Sequence, residues 1–231
     1  MSITAKPKSA TLSLRVLARL LSYPDVELRE HLLAMREVLH SEAAVTHNRL
    51  DELDTLIAWL MATEALETEA NYVQLFDHGR ATSLHLFEHV HGDSRDRGPA
   101  MIDLGQTYEQ AGLYLAPDEL PDYLPAVLEF VSTQPPAEAK AFLAEMAHIF
   151  NAIFSALQQR QSLYASIIGA LLELAGEKAQ AVKLASEEQL DEAWEEPIVF
   201  DGCSSKGQAK PDQPQPIHII PKDRSSKGVA V

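Results

Sequence analysis

Apolar residues return every three or four positions along most of this chain, the spacing that places them on one face of an α-helix. Leu14, Leu17 and Leu21 form one stripe, and Leu28, Leu32, Met35 and Leu39 form the next. Tyr23-Pro24-Asp25 separates them, because proline disfavours helix at the residue before it and suits a first-turn position itself. Leu50, Leu53, Ile57, Leu60 and Met61 make a third stripe behind Asn48, a residue type that caps helix N-termini. Tyr72, Leu75 and Phe76 make a fourth. After a loop over 77–82, Ser83 is placed to cap a short helix ending near Gly92. Asp93 or Ser94 is placed to cap another that carries Met101, Leu104 and Tyr108. Pro117, Pro121 and Pro125 mark a turn and a helix start, and that helix runs through Val127, Leu128 and Val131 to Pro135-Pro136. One long helix follows, with Phe142, Met146, Ile149, Phe150, Ile153 and Leu157 in register, and Leu163, Ile167, Leu171 and Leu174 supply the last stripe. No segment alternates apolar and polar residues between hairpin turns, and no repeat recurs. The pattern predicts an all-α fold, a single globular helical bundle.

Composition changes this picture only near the C-terminus. From about Glu195, prolines 197, 211, 214, 216 and 221 and glycines 202, 207 and 228 stand among polar residues, with too few apolar groups to offset the entropy of ordering. The expected division is therefore a helical domain over 1–195 and a flexible, disordered C-terminal tail over 196–231. Ile217-His218-Ile219-Ile220 is an apolar patch within that tail. A chain of 231 residues buries a sufficient core without cross-links, and Cys203, the single cysteine, excludes an internal disulfide and a thiolate-rich metal centre. Arg15 and Arg19 interrupt the first apolar run, so no signal-peptide core forms, and the uncharged window 146–159 is too short and too polar for a membrane span. A cytoplasmic protein is expected. The formal charge of −15 disfavours nucleic acid and anionic membranes and favours basic partners.

Candidate chemistry concentrates in Ser83–Gly98, SLHLFEHVHGDSRDRG. His85-Leu86-Phe87-Glu88-His89 matches the H-x-x-E-H pattern in which two imidazoles one helical turn apart hold zinc and the glutamate activates water, so a zinc-dependent hydrolase is the alternative reading. The bland reading has Leu84 and Phe87 facing the core while the imidazoles pair with Glu88, Asp93 or backbone carbonyls. Arg95 and Arg97 oppose the dipole of the helix they precede. They serve either to hold a carboxylate or phosphate, or to lock the preceding loop through Asp77, Glu88 or Asp93. Asp118 to Tyr123 sets acids and an aromatic on a proline-stiffened turn, which suits either reception of a basic peptide helix or a plain helix N-terminus. Tyr72 and Phe76 fit either a core stripe or a contact surface.

Tyr72-Val73-Gln74-Leu75-Phe76, the run HLFEHVHGDSRDRG, and Glu119-Leu120-Pro121-Asp122-Tyr123-Leu124 with Leu128-Glu129-Phe130 together resemble the NarJ-type respiratory nitrate reductase assembly chaperones. These belong to the TorD/DmsD group of redox-enzyme maturation proteins, and the resemblance runs from Leu14 through Ser22-Tyr23-Pro24 to the end of the helical body. It implies a cytoplasmic helical chaperone that is not an enzyme and has no cofactor of its own. Such a protein binds the N-terminal peptide of the apo catalytic (alpha) subunit of nitrate reductase and supports insertion of the molybdenum cofactor into that client, with cofactor-delivery proteins as further partners. The group's peptide-binding loop matches Glu119, Pro121 and Asp122, with Tyr123 where the group carries histidine. Pro99 also departs from the polar residue expected there. The implied client-peptide site comprises Tyr72, Phe76, Phe87, His89, Asp93, Arg95, Arg97, Glu119, Pro121, Asp122 and Tyr123.

Overall fold

The computed structural model describes residues 9–91, 94–117 and 119–180, and all of these belong to one compact unit. The expected boundary at 195, the tail over 196–231 with Cys203 and Ile217 to Ile220, and Asp93 and Asp118 lie outside the described residues. Among the described residues ten α-helices follow one another: α1 (Thr11–Leu20), α2 (Val26–Glu42), α3 (His47–Ala62), α4 (Ala65–Phe76), α5 (Leu86–Val90), α6 (Arg97–Gln110), α7 (Leu124–Thr133), α8 (Pro136–Glu145), α9 (Ala147–Gln159) and α10 (Ala165–Ala175). A single 3-10 turn, Arg80–Thr82, sits between α4 and α5. No strand occurs among the described residues.

Two helices are buried on most of their surface and form the centre. In α10, Ile167, Ile168, Ala170, Leu171 and Leu172 are all buried, and in α7 burial runs from Leu124 through Leu128. A helix that is apolar all round must be enclosed, and here α10 lies against α9, α8 and α3 while α7 lies against α1. The outer helices bury one stripe each. In α2 that stripe is Leu28, Leu32 and Leu39, and in α3 it is Leu50, Leu53, Leu56, Ile57 and Leu60.

Asp25 begins α2 as the Pro24 turn predicts, its carboxylate accepting from the Leu28 N–H at 2.8 Å. Four local expectations fail. Asn48 does not cap α3: the helix starts one residue earlier, and Thr46 ahead of it donates its N–H and hydroxyl to Glu173 of α10 at 3.0 and 2.7 Å. The single long helix expected after Pro136 is two, bent at Met146, so that Ala139 and Leu143 of α8 and the apolar side of α9 each reach the centre. Ser83 does not cap α5, which begins after His85, and Asp96 rather than Asp93 or Ser94 immediately precedes α6.

The link from α4 to α5 is tied down from α9. The Thr82 hydroxyl donates to the Leu75 carbonyl, and the Arg160 guanidinium donates to Thr82 Oγ1 at 3.0 Å and to the same carbonyl at 3.4 Å. Gly79 lies in the angle between them. A Cβ there would stand 2.6 Å from the Leu75 carbonyl oxygen and collide with Thr82 and Arg160, whereas one at Gly105 in α6 would meet only Pro121 Cγ at 3.8 Å. Gly79→Ala should therefore cost about 1–3 kcal/mol of stability by overpacking, and Gly105→Ala should gain up to about 1 kcal/mol from helix propensity. Urea denaturation of both variants checks the opposite signs.

Candidate functional site

Two segments 35 residues apart in sequence meet edge to edge. Leu86 N–H donates to the Asp122 carbonyl at 3.0 Å and Leu124 N–H to the Leu84 carbonyl at 2.8 Å, so His85 and Tyr123 face each other in an antiparallel bridge. Asp122 is completely buried at this junction. Its Oδ2 accepts from the Phe87 N–H at 3.1 Å, capping α5 from across the chain, and its Oδ1 lies 3.3 Å from His85 Nδ1. Arg97, at the start of α6, reaches back to within 3.7 Å of Asp122 and 3.6 Å of Glu88. A buried carboxylate is tolerated only when its oxygens are satisfied, and here a backbone N–H, an imidazole and a guanidinium do so. The hydrogen bond to Asp122 raises the His85 pKa above its ordinary value. Partial burial and Arg97 oppose that shift, and the charges of Asp122 and Glu88 support it.

A tyrosine relay continues inward from this edge. Tyr72 donates its hydroxyl proton to the Leu21 carbonyl at 2.7 Å, so the Tyr123 hydroxyl, 3.2 Å away, donates to Tyr72. Tyr72 packs on Phe76 at 4.8 Å between ring centroids, Phe76 meets Tyr164 edge-on at 5.2 Å, and Tyr23 meets Tyr72 edge-on at 5.7 Å. Tyr72 and Phe76 are buried and form the floor beneath the surface rather than its exposed lining. Pro121 is fixed from behind, its carbonyl accepting from the Tyr108 hydroxyl at 2.8 Å.

Of the residues singled out from sequence, the fold thus gathers Tyr72, Phe76, Phe87, Arg97, Pro121, Asp122 and Tyr123 into one region. His89 lies beside it, its Nε2 donating to the Ser83 carbonyl at 2.9 Å. Phe87 is half-buried with its ring against the edge of His91 at 5.3 Å. Glu119 and Arg95 are exposed, and Asp93 lies outside the described residues. Arg97 takes the loop-locking option through Glu88, with Asp122 as a second acceptor that sequence reasoning did not pair with it. Tyr23, Tyr108 and His85 were missed as parts of the region. For Tyr108 the available signal was that a tyrosine in a core stripe needs a partner for its hydroxyl.

The H-x-x-E-H pattern does not sit on one helix. His85 precedes α5, which is only five residues long, and both imidazoles are engaged, His85 by Asp122 and His89 by a backbone carbonyl. Among the described residues no three His, Cys, Asp or Glu side chains are arranged to hold a metal ion. The geometry gives a hydrolase no support.

The segments that form the region carry exposed apolar groups and acids together. Leu120, Val90 and Tyr23 are exposed on them. The charges of Glu69 and Asp77 act on Tyr23, and those of Asp77 and Glu119 on Tyr123. Such groups can hold a cationic, amphipathic segment through apolar contact while charge guides its approach.

Residues 28–168 match the family described as nitrate reductase delta subunit. The chain is 40% identical over 195 residues to the nitrate reductase molybdenum cofactor assembly chaperone NarJ of Escherichia coli (strain K12), covering 80% of this chain and 83% of that one. It is 39% identical over 197 residues to NarW of the same strain, covering 79% and 80%. In fold it resembles a solved redox enzyme maturation protein from Archaeoglobus fulgidus, with a TM-score of 0.53 at 18% identity, covering 72% of this chain and 94% of that one.

Asp122→Ala should destabilise the protein by about 2–4 kcal/mol, because it strands the Phe87 N–H, leaves His85 without its carboxylate and leaves Arg97 with Glu88 alone. Chemical denaturation measures this. His85 holds its proton more tightly folded than unfolded, so its contribution is complete below about pH 6.5, the ordinary histidine value, and is lost as pH rises through the raised folded-state pKa. The stability gap between wild type and His85→Gln should accordingly narrow as pH rises above about 6.5, as followed by urea titrations at each pH.

Proposed function

The chain belongs to the nitrate reductase delta subunit family, and from that premise we propose that it is a system-specific chaperone of nitrate reductase assembly. It captures the N-terminal peptide of the apo catalytic (alpha) subunit, keeps that subunit open to the molybdenum cofactor and is absent from the finished enzyme. It works in the cytoplasm and carries no cofactor of its own, since the molybdenum cofactor is delivered to the client, with cofactor-delivery proteins as further partners. The observation that carries this reading is the family match over 28–168, which takes in both the 83–98 segment and the turn at 119–123. The described helices include none long and apolar enough to cross a membrane.

Within this reading, Phe87, Leu120, Tyr123 and Tyr23 supply apolar contact, and Glu119 with the neighbouring acids attracts basic residues of the peptide. Tyr72, Phe76, Pro121 and Asp122 hold the surface in shape from beneath. Arg97, His89, Asp93 and Arg95 form the flank on the α5–α6 side.

Calorimetric titration with a synthetic N-terminal peptide of the catalytic subunit should give saturable 1:1 binding with a Kd of about 1 µM or tighter, and a scrambled peptide should give none. Phe87→Ala or Leu120→Ala should weaken binding about tenfold or more, while Glu119→Gln should weaken it only about two- to fivefold, and less in high salt. Absence of saturable heat with well-folded protein refutes the reading.

A further inference from the structure

We propose that α6 is a hinged cover over a second apolar seat on α7, and that a basic, amphipathic helix of the client displaces α6 from that seat. The occupant rests on the chaperone reading above, whereas the cover does not. Along the whole of α6 only Tyr108 is buried, in a bundle whose other long helices bury continuous stripes. Ile102 is 62% exposed, Leu104 is half-buried, and a Cβ added at Gly98 would meet nothing within 4 Å. No side chain caps the start of α6 at Asp96, and the chain leaves its end through Gly112 at φ +77°, a left-handed conformation natural to glycine.

Arg97 ties the first residue of α6 to Glu88 and Asp122 and Leu104 packs partly on the core, so the far half of the helix is held chiefly by one latch. The Tyr108 hydroxyl donates to the Pro121 carbonyl at 2.8 Å, and its ring lies tilted on Phe130 at 4.9 Å. Phe130 in turn meets Phe142 of α8 edge-on at 5.6 Å. Lifting α6 would uncover Phe130 and free the carbonyl of Pro121, in the same turn that carries Asp122. The seat thus adjoins the candidate site.

Charge identifies the occupant. Glu129 precedes Phe130 on α7, and its carboxyl is pushed above the ordinary range by partial burial and then by the charge of Glu119, with Arg15 opposing. A cationic helix placing one aromatic or leucine on Phe130 would repeat what Tyr108 does and relieve that crowding. A second copy of this chain, carrying the same charge of −15, would add to it.

Hydrogen–deuterium exchange of the full chain tests the cover. Amides over 100–110 should exchange at least tenfold faster than those of α7, and Tyr108→Phe, which removes only the hydroxyl, should speed them about fivefold more while leaving α7 and α10 unchanged. The synthetic N-terminal peptide of the catalytic subunit should protect α7 and speed exchange over 100–110. Tyr108→Phe should bind that peptide about fivefold tighter, because the population competent to bind grows by that factor. Exchange of α6 in step with α7, slower exchange of α6 on binding, or unchanged or weaker binding by Tyr108→Phe overturns the proposal. Failure of the peptide to bind wild type at all sinks the function above and the occupant with it, and the cover is then judged on the exchange of the unliganded chain.

Discussion

The arrangement of the candidate region depends on one buried carboxylate. A helix of five residues is too short to persist alone, since the cost of its first turn is never recovered by propagation. α5 persists because Asp122, 35 residues away, accepts from the Phe87 N–H while its own carbonyl takes the N–H of Leu86. The charge of Asp122 is tolerated in turn because His85 and Arg97 stand against it. Each group explains the others. Without Asp122 the imidazole and guanidinium have no reason to converge, and without them a fully buried carboxylate is a liability.

From that junction, rigidity passes inward through Tyr123 and Tyr72 to the carbonyl of Leu21 at the end of α1. Tyr123 is thus a link between the turn and the first helix. Behind the turn, by contrast, α6 buries a single side chain, the ring and hydroxyl of Tyr108, and is otherwise tied at its first residue by Arg97. On the proposed function, a stiff edge beside a lightly held helix suits recognition of an unfinished client and its later release. Recognition needs preorganisation and release needs an element of low local stability.

Much of the helical architecture was legible in the sequence, because a stripe such as Leu28, Leu32 and Leu39 reports a buried face whatever lies opposite it. The break at Met146 was not legible. No proline or glycine marks it, and it follows from two helices needing different directions to reach the same core. Capping misled for a similar reason. Asn48 has the right chemistry, yet Glu173 of α10 supplies the acceptor for the backbone at Thr46 instead. At the candidate site, residue types named several side chains that the fold brings together but not their contacts. Asp122 read as one acid of a proline-stiffened turn and is wholly enclosed, and of the two readings open for His85 and His89, a metal pair or hydrogen-bonding partners within the fold, the structure shows the second.

Helical class, the acidic balance and the two segments worth attention were determined by the order of residues alone, since periodicity and charge are local or summed properties that need no partner. Which acid is buried, which aromatic is floor and which is surface, and how firmly α6 is held were decided only when residues far apart in the chain came together. Burial and hydrogen bonding are relations between residues, and a one-dimensional pattern records only the capacity for them.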